Sequence, residues 1–238
     1  MVKKSLVRII LCLTVLILVG AAALAVGSKQ DFMLSKDGRR ITALNPSSHI
    51  TARDPSSDAK LTTIAGNLST YPFATYFCCY GNTLAEGPPS FLFTTWVAIP
   101  FTPSADATIT RVEVPIFTYS QADPNFLVSI DNDANGVPGK AIKTWHATAG
   151  YPYGSCCTLD VENDAAGIPV TSGTQYWFAI TTGAKHDFFG AWPFNSTDMR
   201  AHTVGSYCKG DPTYCGTVNN GKWVTVQELV PAYAVLGH

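Results

Sequence analysis

Apolar and polar residues alternate with period two along much of this chain, the pattern of strands that bury one face. In "TITRVEVPIF" Val112, Val114 and Ile116 fall on one side while Arg111, Glu113 and Pro115 fall on the other. "NFLVSID" repeats the pattern with Phe126, Val128 and Ile130, and "TQYWFAITT" sets Tyr176, Phe178 and Ile180 against Trp177, Ala179 and Thr181. Further strands are expected in "FLFTTWVAIPF", "AIKTWHA", "FFGAWPF", "KWVTVQ" and "AYAVL", separated by the turn chemistry of "GPPS", "DNDANGVPG" and "NNG". No ten-residue stretch of this region carries a helical stripe. The pattern therefore predicts an all-β fold, a single β-sandwich of jelly-roll type, with Trp96, Trp177 and Trp223 in its core. No internal repeat is visible, which argues against a propeller or a solenoid.

The N-terminus reads differently. Lys3, Lys4 and Arg8 precede an apolar run from Ile9 to Val19 and the small-residue sequence Ala23-Leu24-Ala25, the layout of a secretory signal cleaved before Val26. Counting the alanines extends the apolar run to Val26, so an uncleaved membrane anchor is the alternative. Residues 26–60 are polar, with six basic and four acidic residues and little periodicity, as expected of a flexible tether or a loosely docked arm. The predicted layout is a signal peptide over residues 1–25, this segment over 26–60, and the sandwich over 61–238. The expected location is outside the cytoplasm: secreted, periplasmic or on the cell surface.

Export changes the meaning of the cysteines. Beyond the signal lie Cys78, Cys79, Cys156, Cys157, Cys208 and Cys215, an even number suited to disulfides in an oxidising compartment. No Cys-x-x-Cys pair is present to support a zinc site or a thioredoxin-like redox site. Cys208 and Cys215 flank the turn-rich "KGDPTY" and are expected to pair. The two doublets are less determined. Neighbouring α-carbons lie closer than an ordinary disulfide allows, while adjacent strand residues point to opposite faces, so bonds within a doublet and bridges between doublets each carry a geometric cost. Vicinal bonds are slightly favoured, with cross-doublet bridges as the rival.

Residues 61–238 carry seven basic and 13 acidic residues, a balance that argues against a nucleic-acid partner. The phrases "WVAIPFTPSADATITRVEVPI", "VSIDNDANGVPGKAI", "GIPVTSGTQYWFAITT" and "AWPFNSTD" resemble bacterial exported β-sandwich proteins of the choice-of-anchor type. The resemblance covers residues 90–200 or thereabouts and implies the fold and export; it carries over no catalytic residue.

Three kinds of chemistry are open. "DNDANGVPG" places Asp131, Asp133 and Asn135 at alternate positions ahead of Gly136, the opening of a calcium loop, and Asp160, Glu162 and Asp164 could add to it. Ile142 stands where a bidentate Glu would close such a loop, and a hairpin turn explains the same residues more simply. A structural calcium is thus the minority reading and no other cofactor is expected. Tyr80, Tyr151, Tyr153, Phe189 and Trp192 sit near turns, where rigid rings can lie against the apolar face of a sugar. For a hydrolase, neither a Gly-x-Ser-x-Gly elbow nor a His-Glu-x-x-His helix is present, and the five histidines are scattered; a carboxylate pair of the glycosidase kind is left open. The sequons at Asn67 and Asn195 are not expected to be modified in a chain of bacterial appearance. The leading expectation is an exported structural or adhesive module that associates with itself. A carbohydrate-binding module recognising cell-surface polysaccharide comes second and a secreted glycoside hydrolase third.

Overall fold

The structure, a computed structural model, describes residues 32–35, 39–43, 61–68, 76–86, 93–118, 125–149, 159–183, 188–210, 215 and 221–238, with seven of their side chains left aside, among them Cys78 and Cys79. Fifteen strands are described: β1 (Phe32–Leu34), β2 (Arg40–Ala43), β3 (Thr62–Gly66), β4 (Tyr76–Ala85), β5 (Phe93–Phe101), β6 (Ala107–Pro115), β7 (Phe117–Thr118), β8 (Asn125–Asp133), β9 (Pro138–Thr148), β10 (Leu159–Val170), β11 (Tyr176–Thr181), β12 (Phe189–Asn195), β13 (Ala201–Gly210), β14 (Lys222–Leu229) and β15 (Ala234–Gly237).

They form an open antiparallel β-sandwich. The larger sheet has 11 strands in the order β1-β2-β4-β5-β11-β8-β9; β12 pairs with β4 and β7, while β13 pairs with β5 and carries β14 on its other side. The smaller sheet has the order β10-β6-β15-β3. Between them lies the core foreseen from the alternation. Val97, Ile99 and Phe101 of β5, Phe178 and Ile180 of β11, and Val128 and Ile130 of β8 face Val112 and Val114 of β6 and Val235 of β15. Burial of these branched and aromatic side chains is the main favourable term holding the layers together. Lys143 of β9 also reaches Asp164 of β10 at 2.8 Å, tying an edge of one sheet to an edge of the other.

A second tie is polar. The Asn195 side-chain amide donates to the Asn67 carbonyl at 2.7 Å, Asn67 Nδ2 donates to the Pro231 carbonyl at 2.9 Å, and the Tyr233 backbone N–H donates to Asn67 Oδ1 at 3.0 Å. Both sequon asparagines are therefore committed to joining β12 with the segments flanking β3 and β15.

Two short pieces of the N-terminal segment are described. Phe32–Leu34 and Arg40–Ala43 are strands of the large sheet, and they belong to the same compact unit as the rest, which runs from Phe32 to His238. Ile41 is fully buried. Two strands of three and four residues are too short to leave a readable period in a polar stretch, which is why the sequence reads as a tether there. The signal segment lies outside the described residues. So do Cys156 and Cys157; Cys78 and Cys79 fall within β4, but their side chains are among those left aside. The Cys208–Cys215 bond forms as expected, with the α-carbons 5.3 Å apart.

Candidate functional site: an aromatic row on the outer sheet face

Strand alternation that points Val97 and Ile99 into the core points Trp96 and Ala98 out of it. The same parity operates on the two strands beyond β5. Register pairs Tyr207 with Trp96 across β13 and β5, and Trp223 with Tyr207 across β14 and β13. Three aromatic residues thus stand in one row on the large sheet's outer face, all partly exposed. Trp96 and Tyr207 stack with centroids 4.1 Å apart and planes 17° apart. Trp223 lies 5.7 Å from Tyr207 and 6.4 Å from Trp96, tilted at 59° and 43°, so neither ring stacks on it.

The row is anchored at one end by polar contacts. Trp96 Nε1–H donates to Thr182 Oγ1 at 2.8 Å, and the Thr182 hydroxyl in turn donates to the Glu86 carboxylate. Burial, and after it the negative charge of Glu86, holds the Tyr207 phenol above its ordinary pKa, so it stays a neutral hydrogen-bonding group at physiological pH. Behind the row Trp177 is buried with Ala98 and Ala179, and Trp223 packs against that cluster. A Cβ on Gly205 would stand 3.1 Å from the Trp177 ring, 3.2 Å from Pro138 and 3.3 Å from Ala98. The missing side chain there lets Trp177 lie close against the sheet.

Trp177 connects this face to the segment considered for calcium. Asp133 accepts Trp177 Nε1–H at 2.8 Å, Gln175 Nε2–H at 2.7 Å and the Gly136 backbone N–H at 3.0 Å. These donors hold its carboxyl below the ordinary carboxylate range, the Trp177 bond contributing most. Asn135 and Gly136 both have positive φ, 58° and 85°, and the Ala134 backbone N–H donates to Val137 O at 2.8 Å, the geometry of a two-residue hairpin turn between β8 and β9. Asp131 instead points to the sheet face and is 7% exposed; burial raises its pKa to about 6, against a lowering bond from Ser129. A calcium site needs ionised carboxylates with free lone pairs. Here the Asp133 carboxylate is taken up by N–H donors and Asp131 is buried, and the hairpin turn alone accounts for Asn135 and Gly136. Asp164 is engaged by Lys143. Among the described residues no group of three or more His, Cys, Asp or Glu is placed to hold a metal.

The expected ligand-binding rings are placed elsewhere. Phe189 is 2% exposed and Trp192 is fully buried, the latter donating its indole N–H to Ala232 O at 2.7 Å. Neither can serve as a surface platform, because β12 lies inside the fold with every residue buried. Tyr80 stands on β4 rather than a loop, its ring 4.9 Å from that of Phe194. Tyr151 and Tyr153 lie outside the described residues. Conversely, Trp96 and Trp223, expected in the core, are partly exposed on the opposite face, and Trp177 is buried on that face rather than between the sheets. The signal for the row was present in the parity of "TTWVAIPF", where Trp96 falls out of phase with Val97 and Ile99; its union with Tyr207 and Trp223 depends on a strand pairing that alternation does not specify.

No known protein family, curated protein or solved structure matches the chain. The choice-of-anchor resemblance therefore rests on the sequence phrases alone.

Proposed function

We propose that this protein is an exported glycan-binding β-sandwich module whose binding surface is the Trp96, Tyr207 and Trp223 row. The observation that carries the reading is the row itself: three partly exposed aromatic rings on neighbouring strands of a rigid sheet. Exposed rings of this kind lose little conformational entropy on binding and offer apolar area to the C–H face of a sugar ring. Glu86 and the Tyr207 hydroxyl supply hydrogen-bond partners for hydroxyl groups around that face. The arrangement supports holding a neutral ligand.

A structural or adhesive role with self-association is the second reading, favoured by a separate observation. Among the described residues β14 pairs with β13 alone, which leaves its other edge open to a further strand. A glycan array combined with size-exclusion chromatography separates the two readings. Discrete glycan hits by a monomer support the binding module. A silent array with a large assembly supports the structural role.

A further inference from the structure

The edge of a sheet exposes unpaired backbone N–H and C=O groups, and folded proteins blunt such edges with charge, proline, bulges or brevity. Most edges of these two sheets are blunted in that way. β1 has three residues and β7 two. β9 carries Lys140, Lys143 and His146, and its ladder with β8 shifts register in two places. β10 carries Asp160, Glu162 and Asp164 and shifts between Asn163 and Ile168; β3 has five residues and a shift in its pairing with β15. β14 differs from all of these. Seven consecutive residue pairs join it to β13 without a shift, and among the described residues no strand pairs with its other side. From Trp223 to Gln227 it holds neither charge nor proline, and Val224, Thr225 and Val226 are β-branched residues that favour strands. Thr225 and Gln227 are exposed, while Trp223, Val224 and Val226 are half-buried. An edge this long, regular and uncharged is a template for a further strand.

The sequence of β14 suits its own antiparallel copy. A two-fold axis normal to the sheet continues both faces from one copy into the next, so each residue meets one of the same parity. Centred on Thr225, that axis sets Thr225 against itself, Val224 against Val226, Trp223 against Gln227 and Lys222 against Glu228 of the second copy. Threonine pairs, β-branched pairs and opposite charges are favourable cross-strand neighbours. Moving the axis to Val224 sets Lys222 against a valine, and moving it to Val226 does the same to Glu228. The register centred on Thr225 is therefore the one the side chains favour.

We infer that two copies of this protein pair edge to edge through β14, centred on Thr225, into one continuous sheet. The pairing rests on the same open edge that favours the second reading above, but it consumes that edge in both copies and so stops at two. It does not depend on glycan binding. Backbone bonds and a few side chains are all that meet, so the pair is weak and dissociates on dilution. The two aromatic rows then share one outer face, with the Trp223 residues of the two copies four positions, or about 14 Å, apart along the strands.

The test is sedimentation equilibrium of the purified protein over a range of concentrations, together with cysteine cross-linking. The apparent mass is expected to rise with concentration and level off at twice that of the monomer. Thr225→Lys, which brings two lysines face to face at an exposed position, is expected to hold the protein at monomer mass throughout. Cross-linking reads the register and does not need the lysine variant. Directly opposed residues have Cβ atoms about 5 Å apart, so Thr225→Cys is expected to link two copies under mild oxidation. Gln227→Cys, which meets Trp223 of the second copy, is expected to link no more than the parent does. A parent that stays monomeric, growth past two copies, pairing that survives Thr225→Lys, or Gln227→Cys linking as readily as Thr225→Cys would each overturn the assignment.

Discussion

Trp96 and Tyr207 stack ring on ring across β5 and β13, 4.1 Å apart, on the outer face of the large sheet. Such a pair contributes about 0.5–1.5 kcal/mol beyond the area it buries. Its more informative consequence is for binding. Aromatic residues at the centre of an interface commonly cost more than about 1 kcal/mol when truncated, which is a factor of about five in affinity. Tyr207→Ala and Trp223→Ala should each weaken binding to any glycan hit by at least about fivefold, read by isothermal titration. Tyr80→Phe should leave the affinity unchanged, since that ring packs against Phe194.

The Cys208–Cys215 bond closes a short loop between β13 and β14. Chain-entropy arguments for a loop of this size give about 2.5 kcal/mol of stabilisation. Replacing both cysteines by alanine should lower the urea midpoint by a corresponding amount with little change in slope. A variant as stable as the parent would show that the loop is held by other contacts.

Asn195 accepts from the backbone N–H groups of Thr197 and Asp198 at 2.8 and 2.7 Å while donating to Asn67 O. Its substitution by Ala leaves several buried groups without partners, and a loss of about 2–4 kcal/mol follows. The same bonds keep the amide away from modifying enzymes. Expression through a eukaryotic secretory pathway should leave Asn195 unglycosylated by intact-mass analysis despite its sequon.

Asp131 makes stability depend on pH with a distinctive sign. Burial raises its folded-state pKa to about 6 from 3.8, so between those values the folded state binds a proton that the unfolded chain has lost. This group therefore adds stability at low pH and withdraws it as pH rises through about 6. Asp131→Asn should be more stable than the parent at pH 7.5 by about 1–3 kcal/mol and differ little from it at pH 4. Denaturant titrations of both proteins at the two pH values decide it; a gap that widens on acidification contradicts the burial argument.

The sandwich was legible because period-two alternation depends on burial of one face, and the inward sets around Val112, Phe126 and Phe178 are buried in the core as read. The Cys208–Cys215 pair was legible because a short turn-rich loop constrains its ends. The aromatic assignments fared worse for a physical reason. Alternation gives the face relative to a neighbour in the same strand, yet a Trp on the outer face can be buried by its own neighbours, as Trp177 is, and a run such as "FFGAWPF" is buried on both faces, which hides Trp192. The row of Trp96, Tyr207 and Trp223 needs the pairing β5-β13-β14, in which β5 and β13 are far apart in sequence. Propensity carries no information about such long-range pairing.

Affinity gel electrophoresis of the parent protein and of Trp96→Ala through gels cast with a panel of neutral polysaccharides tests the binding surface most directly. The parent should be retarded by at least one polysaccharide, and the substitution should restore free migration while the protein stays folded by circular dichroism. No retardation across the panel, or retardation undiminished in Trp96→Ala, would contradict a glycan site on the outer face.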